Sequence, residues 1–329
     1  MFSALRLVIV GSILVFVFAN HAWGAAASFK VGFLTISAGS GATWVTKEAG
    51  FFAKNGVDAE VLYVPSTTLT QAMLAGEISL GLAGRTSLIE ANARGADFVL
   101  LGSYTRFSPV SSLVTRKDIN KVEQLKGKKF GVSRFGAASH RILEIALQKL
   151  KIDPRRDISV LQVGNSALRM AALQANNIDA TVLSVEEASP AKKIGLNILY
   201  DLRKLNVEFL SNDFTTTRKF VRENEDIARR FVKSIIEGIH FFKNNKQRSI
   251  DIMTKYMRTQ NREIVEVGYD WHAVEYLKKP YVPMTGLNAV WEHLAATDAK
   301  VKELKPEQLV DMRFVKELDE SGFIDNLYR

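Results

Sequence analysis

Five short segments collect small hydroxyl, glycine and arginine residues of the kind that hold a polar ligand: Ser37-Ala38-Gly39-Ser40-Gly41, Ser66-Thr67, Arg85-Thr86, Arg134-Phe135-Gly136 and Gly164-Asn165. Each follows a short apolar run and opens a helical pattern. Backbone N–H groups at a helix start, unobstructed by bulky side chains and backed by the positive end of the dipole, favour an oxyanion. Arg85 and Arg134 add planar forks that match a carboxylate or sulfonate. Ser, Thr and Asn are also preferred N-caps, so any one segment reads equally well as a cap; the five together predict an anion site. Trp44, one turn into the first helix, together with Tyr104 and Phe135, is read either as an apolar wall of that site or as core packing.

The residues of catalysis are sparse. His21, His140, His240, His272 and His293 make no His-x-x-x-His pair, and the Glu-x-x-His spacing Glu237 to His240 stands alone, so no cluster sets several metal ligands on one helix face. Glu186-Glu187 is the one paired carboxylate in a candidate loop, and neighbours on a helix point in different directions, so a shared-proton dyad is not expected. Neither a Gly-x-Ser-x-Gly elbow nor a Gly-x-x-x-x-Gly-Lys-Ser/Thr loop occurs. The chain has no cysteine, which removes disulfides, thiolate nucleophiles, Cys-held clusters and a lipid-attachment thiol together. The expectation is a binding protein, not an enzyme, with no metal and no cofactor.

The elements that would position the five segments alternate. Strands are expected at Phe29 to Leu34, Ala59 to Val64, Leu80 to Ala83 and Phe98 to Tyr104, with helices between them. After Pro109 the pattern restarts with strands at Ser111 to Thr115, Lys128 to Val132, Ser159 to Val163, Ala180 to Leu183 and Asn197 to Tyr200. From about Thr215 onward the chain reads as helical. This is α/β alternation with mostly parallel sheets, in which ligands bind beyond the carboxyl ends of the strands, where the five segments fall.

At 329 residues two lobes are expected. The net charge of +9 is spread along helices and has no finger, RNP-type or helix-turn-helix element beside it, so nucleic acid is not expected as a partner. Arg6, the apolar run Leu7 to Phe18 and the small residues near Gly24 and Ala27 form an export signal over residues 1–27. The run is too short to span a bilayer.

Ser37-Ala38-Gly39-Ser40-Gly41-Ala42-Thr43-Trp44, the run Lys47 to Val57, Gln71 to Ile78, Leu125 to Val132, Ala171 to Ala175 with Ile178-Asp179-Ala180, Arg229-Arg230-Phe231 and Ser321 to Ile324 resemble the nitrate/sulfonate/taurine-type family of ABC-importer substrate-binding proteins, also called NMT1/THI5-like. The resemblance implies a type II periplasmic-binding-protein fold, with lobe one at 28–107 and 212–329, lobe two at 108–211, and hinge crossovers near Tyr104 to Val110 and Phe209 to Phe214. It also implies a periplasmic monomer that closes on a small anionic organic solute and hands it to an importer permease. The ligand loops implied are the five segments above. Yeast-type thiamine-pyrimidine synthases share the family name but carry a cysteine motif this chain lacks. Two alternatives stay open: a receptor module reporting to a membrane sensor, and a binder of a thiamine-pyrimidine precursor.

Overall fold

The computed structural model describes residues 28–108, 110–205 and 213–329. The export signal read at 1–27 and most of the second expected crossover lie outside the described residues.

Among the described residues, ten strands form two sheets. They are β1 (Phe29–Phe33), β2 (Ala59–Tyr63), β3 (Leu80–Ala83), β4 (Phe98–Ser103), β5 (Val110–Arg116), β6 (Lys129–Val132), β7 (Ser159–Gln162), β8 (Ala180–Ser184), β9 (Leu196–Asp201) and β10 (Asp213–Thr217). The first sheet has the order β2-β1-β3-β10-β4 and the second β7-β6-β8-β5-β9. Each is mostly parallel with one reversed strand: β10 runs antiparallel to β3 and β4, and β5 antiparallel to β8 and β9.

These two antiparallel strands follow from how the chain passes between sheets. It leaves β4 at Ser103 and enters β5 at Val110, opposite Ser184 at the carboxyl end of β8. It returns into β10 at Asp213, opposite Ala83 and Ser103 at the carboxyl ends of β3 and β4. Both crossings therefore join the carboxyl edge of one sheet to that of the other. A strand entered from that edge runs against its neighbours. The remaining strands, four in each sheet, all point toward the same gap between the lobes.

The helix Glu225–Asn244 returns to the first sheet with Phe231, Ile235, Ile239 and Phe242 on one face, fully buried with Phe33, Phe52 and Phe214. Phe52 stacks on Phe231 with ring centroids 5.7 Å apart. The later helices attach to the same sheet: Ser103 N–H donates to Pro280 O at 2.9 Å, and Phe314, Val315 and Ile324 enter this core. The second sheet buries Phe130, Val132, Leu143 and Leu147 against the helix Ala138–Lys149.

Candidate ligand cleft between the two sheet edges

The segment after β1 is largely turned inward. Ala38–Ser40 is a 3-10 turn running into the helix Gly41–Glu48, and Gly39, Ser40 and Gly41 are buried. Ser40 Oγ donates to Thr35 O at 2.8 Å and the half-buried Ser37 donates to Thr35 Oγ1 at 3.0 Å. A Cβ on Gly41 would lie 3.0 Å from the Phe242 ring, so this glycine answers to packing. The Ala42 N–H of the helix's first turn donates to Tyr276 Oη at 3.2 Å, which in turn donates to Ala38 O at 3.4 Å. Tyr276 has taken the place expected for an anion.

Trp44 is a core residue, not a cleft wall. It is fully buried, stacked on Tyr256 at 5.1 Å and edge-on to Phe33 at 5.6 Å. Tyr104 is likewise buried, its hydroxyl 2.8 Å from Thr43 Oγ1.

Arg85 also departs from expectation. Its Nε and Nη2 donate to the two oxygens of Asp213, each at 2.9 Å, with both side chains wholly buried. Burial raises the Asp213 carboxyl from its ordinary value, and the facing Arg85 guanidinium offsets only part of that rise. Asp213 is the first residue of β10, so this pair staples the turn after β3 to the strand by which the chain returns. A fork spent on a buried carboxylate is not available as a clamp. Thr86, next along the helix Arg85–Asn92, is half-buried, and Ser66 and Thr67 open the helix Ser66–Leu74 at the end of β2.

The loops of the second sheet are open. Arg134, Phe135 and Gly136 are exposed between β6 and the helix Ala138–Lys149, and among the described residues no carboxylate pairs with Arg134. Gly136 N–H donates to His140 Nδ1 at 3.1 Å, Phe135 packs edge-on to His140 at 5.4 Å, and Phe135 N–H donates to Gln162 Oε1 at 3.4 Å. Burial lowers His140, so this ring serves as a neutral acceptor. Gly164 adopts φ +112°, a region that favours glycine, and Asn165 Oδ1 caps the helix Ser166–Gln174 by accepting from Leu168 N–H at 3.0 Å. The Asn165 side chain thus has a local role.

Sequence reasoning missed one feature of the gap. The helix Val185–Ala188 follows β8 with Ser184 and Glu187 as a reciprocal capping box: Glu187 N–H donates to Ser184 Oγ at 3.3 Å and Ser184 N–H to Glu187 Oε2 at 3.1 Å. That turns Glu186 the other way, where it is 1% exposed against the helix Arg262–Glu275 of the first lobe. A Cβ on Gly268 would lie 3.5 Å from Glu186 Cβ and 2.5 Å from Ala38 Cβ, so only a glycine lets the three elements meet. The Glu186 oxygens have no well-formed hydrogen bond among the described residues, and burial, reinforced by Glu187, outweighs the weak pull of the Ser184 side chain and the Glu186 backbone and pushes the carboxyl up to about 7. One turn along, His272 is wholly buried, with Nδ1 2.8 Å from Gly268 O; burial pushes it down to about 4, and its Nε2 has no partner among the described residues. The lobes meet here through Glu186 and Gly268, and burial favours the uncharged forms of both Glu186 and the nearby His272 of the same helix as Gly268.

The comparisons with known proteins agree with this architecture. YtlA of Bacillus subtilis (strain 168) is 27% identical over 269 residues, 79% of each chain. Among solved structures, the periplasmic aliphatic sulphonate binding protein SsuA from Escherichia coli superposes with a TM-score of 0.70 at 21% identity, covering 87% of this chain and 96% of that one. The periplasmic nitrate-binding protein NrtA from Synechocystis PCC 6803 superposes with a TM-score of 0.70 at 14% identity, covering 90% of this chain and 89% of that one. These neighbours share the two-lobed periplasmic-binding-protein fold. No helix among the described residues is long and apolar enough to cross a membrane. The family model described as NMT1/THI5 like matches residues 40–249, well over half of the sequence, and the chain belongs to that family.

Proposed function

We propose that this protein is the solute-binding component of an ABC importer, which captures a small organic anion in the gap between its lobes and passes it to a permease at the inner membrane. The observation that carries this reading is the meeting of two carboxyl sheet edges at one gap, with the exposed Arg134 standing on it in the loop that leads into a twelve-residue helix. That helix start and an unpaired guanidinium together favour a carboxylate or sulfonate. SsuA and NrtA, by their names, take a sulphonate and nitrate, both anions. The contacts proposed are the Arg134 fork and the rims offered by Ser37, Thr86, Gly164 and Asn165.

Capture works by closure. A ligand touching both rims binds the closed form more tightly than the open one, and that difference shifts the population toward closure. The chain works as a monomer in the periplasm, carried there by the signal read at its start. A thermal-shift screen of sulfonates, carboxylates, nitrate and pyrimidines tests the ligand class, since a ligand at a hundred times its Kd stabilises the native state by about 2.7 kcal/mol. Small-angle scattering with the hit should show a smaller radius of gyration. A cation as the hit, or an unchanged radius at saturation, overturns the reading.

A further inference from the structure

We propose that Glu144 and His293 form a latch between the lobes which a proton on the imidazole fastens, so that acid alone draws the two sheet edges together. The latch lies beyond the capture reading above and needs no ligand.

Glu144 stands in the second turn of the helix Ala138–Lys149, which packs on the second sheet. His293 stands near the end of the helix Met284–Ala295, which packs on the helix Arg85–Asn92 of the first lobe. The chain beyond it stays with the first sheet, since Val310 bridges Leu100 of β4. His293 Nε2 lies 3.6 Å from Glu144 Oε2, so a carboxylate of one lobe faces an imidazole of the other. On its own helix, Arg141 Nη1 donates to the same oxygen at 3.2 Å and His140 Nε2 stands 3.8 Å from Oε1. The turn Leu202–Leu205 also packs on this helix, and its Arg203 is bound to Asp201. On the first lobe the neighbouring charged side chains are Glu292, Glu90 on the helix Arg85–Asn92, and Lys300 and Lys302 of the next helix. Among the described residues none of these four pairs with His293.

This arrangement gives the three titratable groups different tasks. Burial works to raise the Glu144 carboxyl, and His293, His140 and Arg141 together outweigh it and hold the group below its ordinary value. Glu144 is therefore charged across the range in which imidazoles titrate. Burial lowers His140, whose Nδ1 accepts the Gly136 N–H at 3.1 Å, so its one hydrogen sits on Nε2 toward Glu144. A second proton on that ring would break the bond to Gly136. His293 has a side chain 21% exposed, open to a proton from water. Its protonation sets a cation against a fixed anion across the lobes. Its deprotonation leaves a neutral ring beside a carboxylate already satisfied by Arg141, and the attraction across the gap is lost. The same carboxylate reaches the Arg134 loop through His140 and Gly136, so the latch and the loop share a support.

The test adds no ligand, so its failure leaves the capture reading untouched. The chain has no cysteine, and spin labels at Gln71→Cys and Gln174→Cys are therefore specific. Both positions are exposed, on the helices that follow β2 and β7, the strands furthest from the crossings in each sheet. Pulsed dipolar spectroscopy of the full mature chain reads the short-distance and long-distance populations. All samples carry Glu186→Gln, which removes the other lobe contact that titrates. In that background the short-distance population should gain about fivefold over the long as pH falls from about 8 to about 5.5, the gain of one partly exposed ion pair. Adding His293→Gln or Glu144→Gln, each a neutral side chain at a partly exposed position, should leave the ratio constant with pH. A gain that survives either addition overturns the latch. A ratio in the Glu186→Gln background that is constant, or that moves toward the long distance in acid, overturns it as well.

Discussion

Glu186 at the lobe contact and the buried His272 one turn beyond Gly268 give the protein an unusual pH signature. In the native state the Glu186 carboxyl sits at about 7, against an ordinary 4.5, so between those values the folded protein holds a proton that the unfolded chain releases. Stability from this group is full below about pH 4.5 and falls as pH rises to about 7, by about 1.4 kcal/mol per pH unit, roughly 3 kcal/mol in all. His272 runs the other way. Its native value is about 4 against an ordinary 6.5, so its contribution is full above about pH 6.5 and is lost as pH falls toward 4, again roughly 3 kcal/mol. Between about pH 4.5 and 6.5 one group's loss offsets the other's gain, and these two sites together give the wild type a flat profile. Single substitutions unmask the slopes. Glu186→Gln should make stability rise with pH up to about 6.5, and His272→Gln should make it fall from about pH 4.5 to 7. Urea unfolding free energies measured at half-unit intervals from pH 4.5 to 8 for the three proteins decide it. If the Glu186→Gln profile runs parallel to that of the wild type, the carboxyl is not held neutral at the contact and the reasoning fails.

Arg85→Met leaves Asp213 buried without its partner and should cost about 3–5 kcal/mol in urea unfolding, much of it recovered in Arg85→Met/Asp213→Leu. If Arg85 is only a staple, that double variant keeps the affinity of whichever anion the screen identifies; a hundredfold loss of affinity would restore Arg85 as a clamp. Gly268→Ala forces a methyl group to within 2.5 Å of Ala38 Cβ unless the helix Arg262–Glu275 withdraws, and should lower stability by about 1–3 kcal/mol in the same assay.

The alternation of strands and helices was legible because most strands are short apolar runs bounded by Gly, Pro or capping residues, and such runs carry their own signal. β10 was not. Asp213-Phe214-Thr215-Thr216-Thr217 is short and mostly polar, and it is a strand because β3 and β4 lie on either side of it. The expected helical tail begins too early for the same reason. Losing β10 also meant losing the antiparallel character of the first sheet, since the returning strand creates it.

The same remoteness separates the two arginines. Arg85 stands between Gly84 and Thr86, Arg134 between Ser133 and Phe135, each just past a strand and near a helix start, and nothing local distinguishes them. What divides them is a carboxylate: Asp213 meets Arg85 from the strand the sequence hid, and among the described residues no acid meets Arg134. Glu186 was obscured in the mirror sense, because its local pattern is a solvated acidic pair at a helix start. Its burial comes from Gly268 on a helix of the other lobe, where the missing side chain makes room for the contact. A loop's composition therefore shows that a ligand edge exists, while the partners brought by the returning chain decide which polar groups on it remain open to a ligand. In this fold those partners come through the second crossing and the C-terminal helices, so they act on the first lobe. The β1 and β3 loops are filled by Tyr276 and Asp213, and of the two candidate arginines it is Arg134, on the second lobe, that has no acid partner among the described residues.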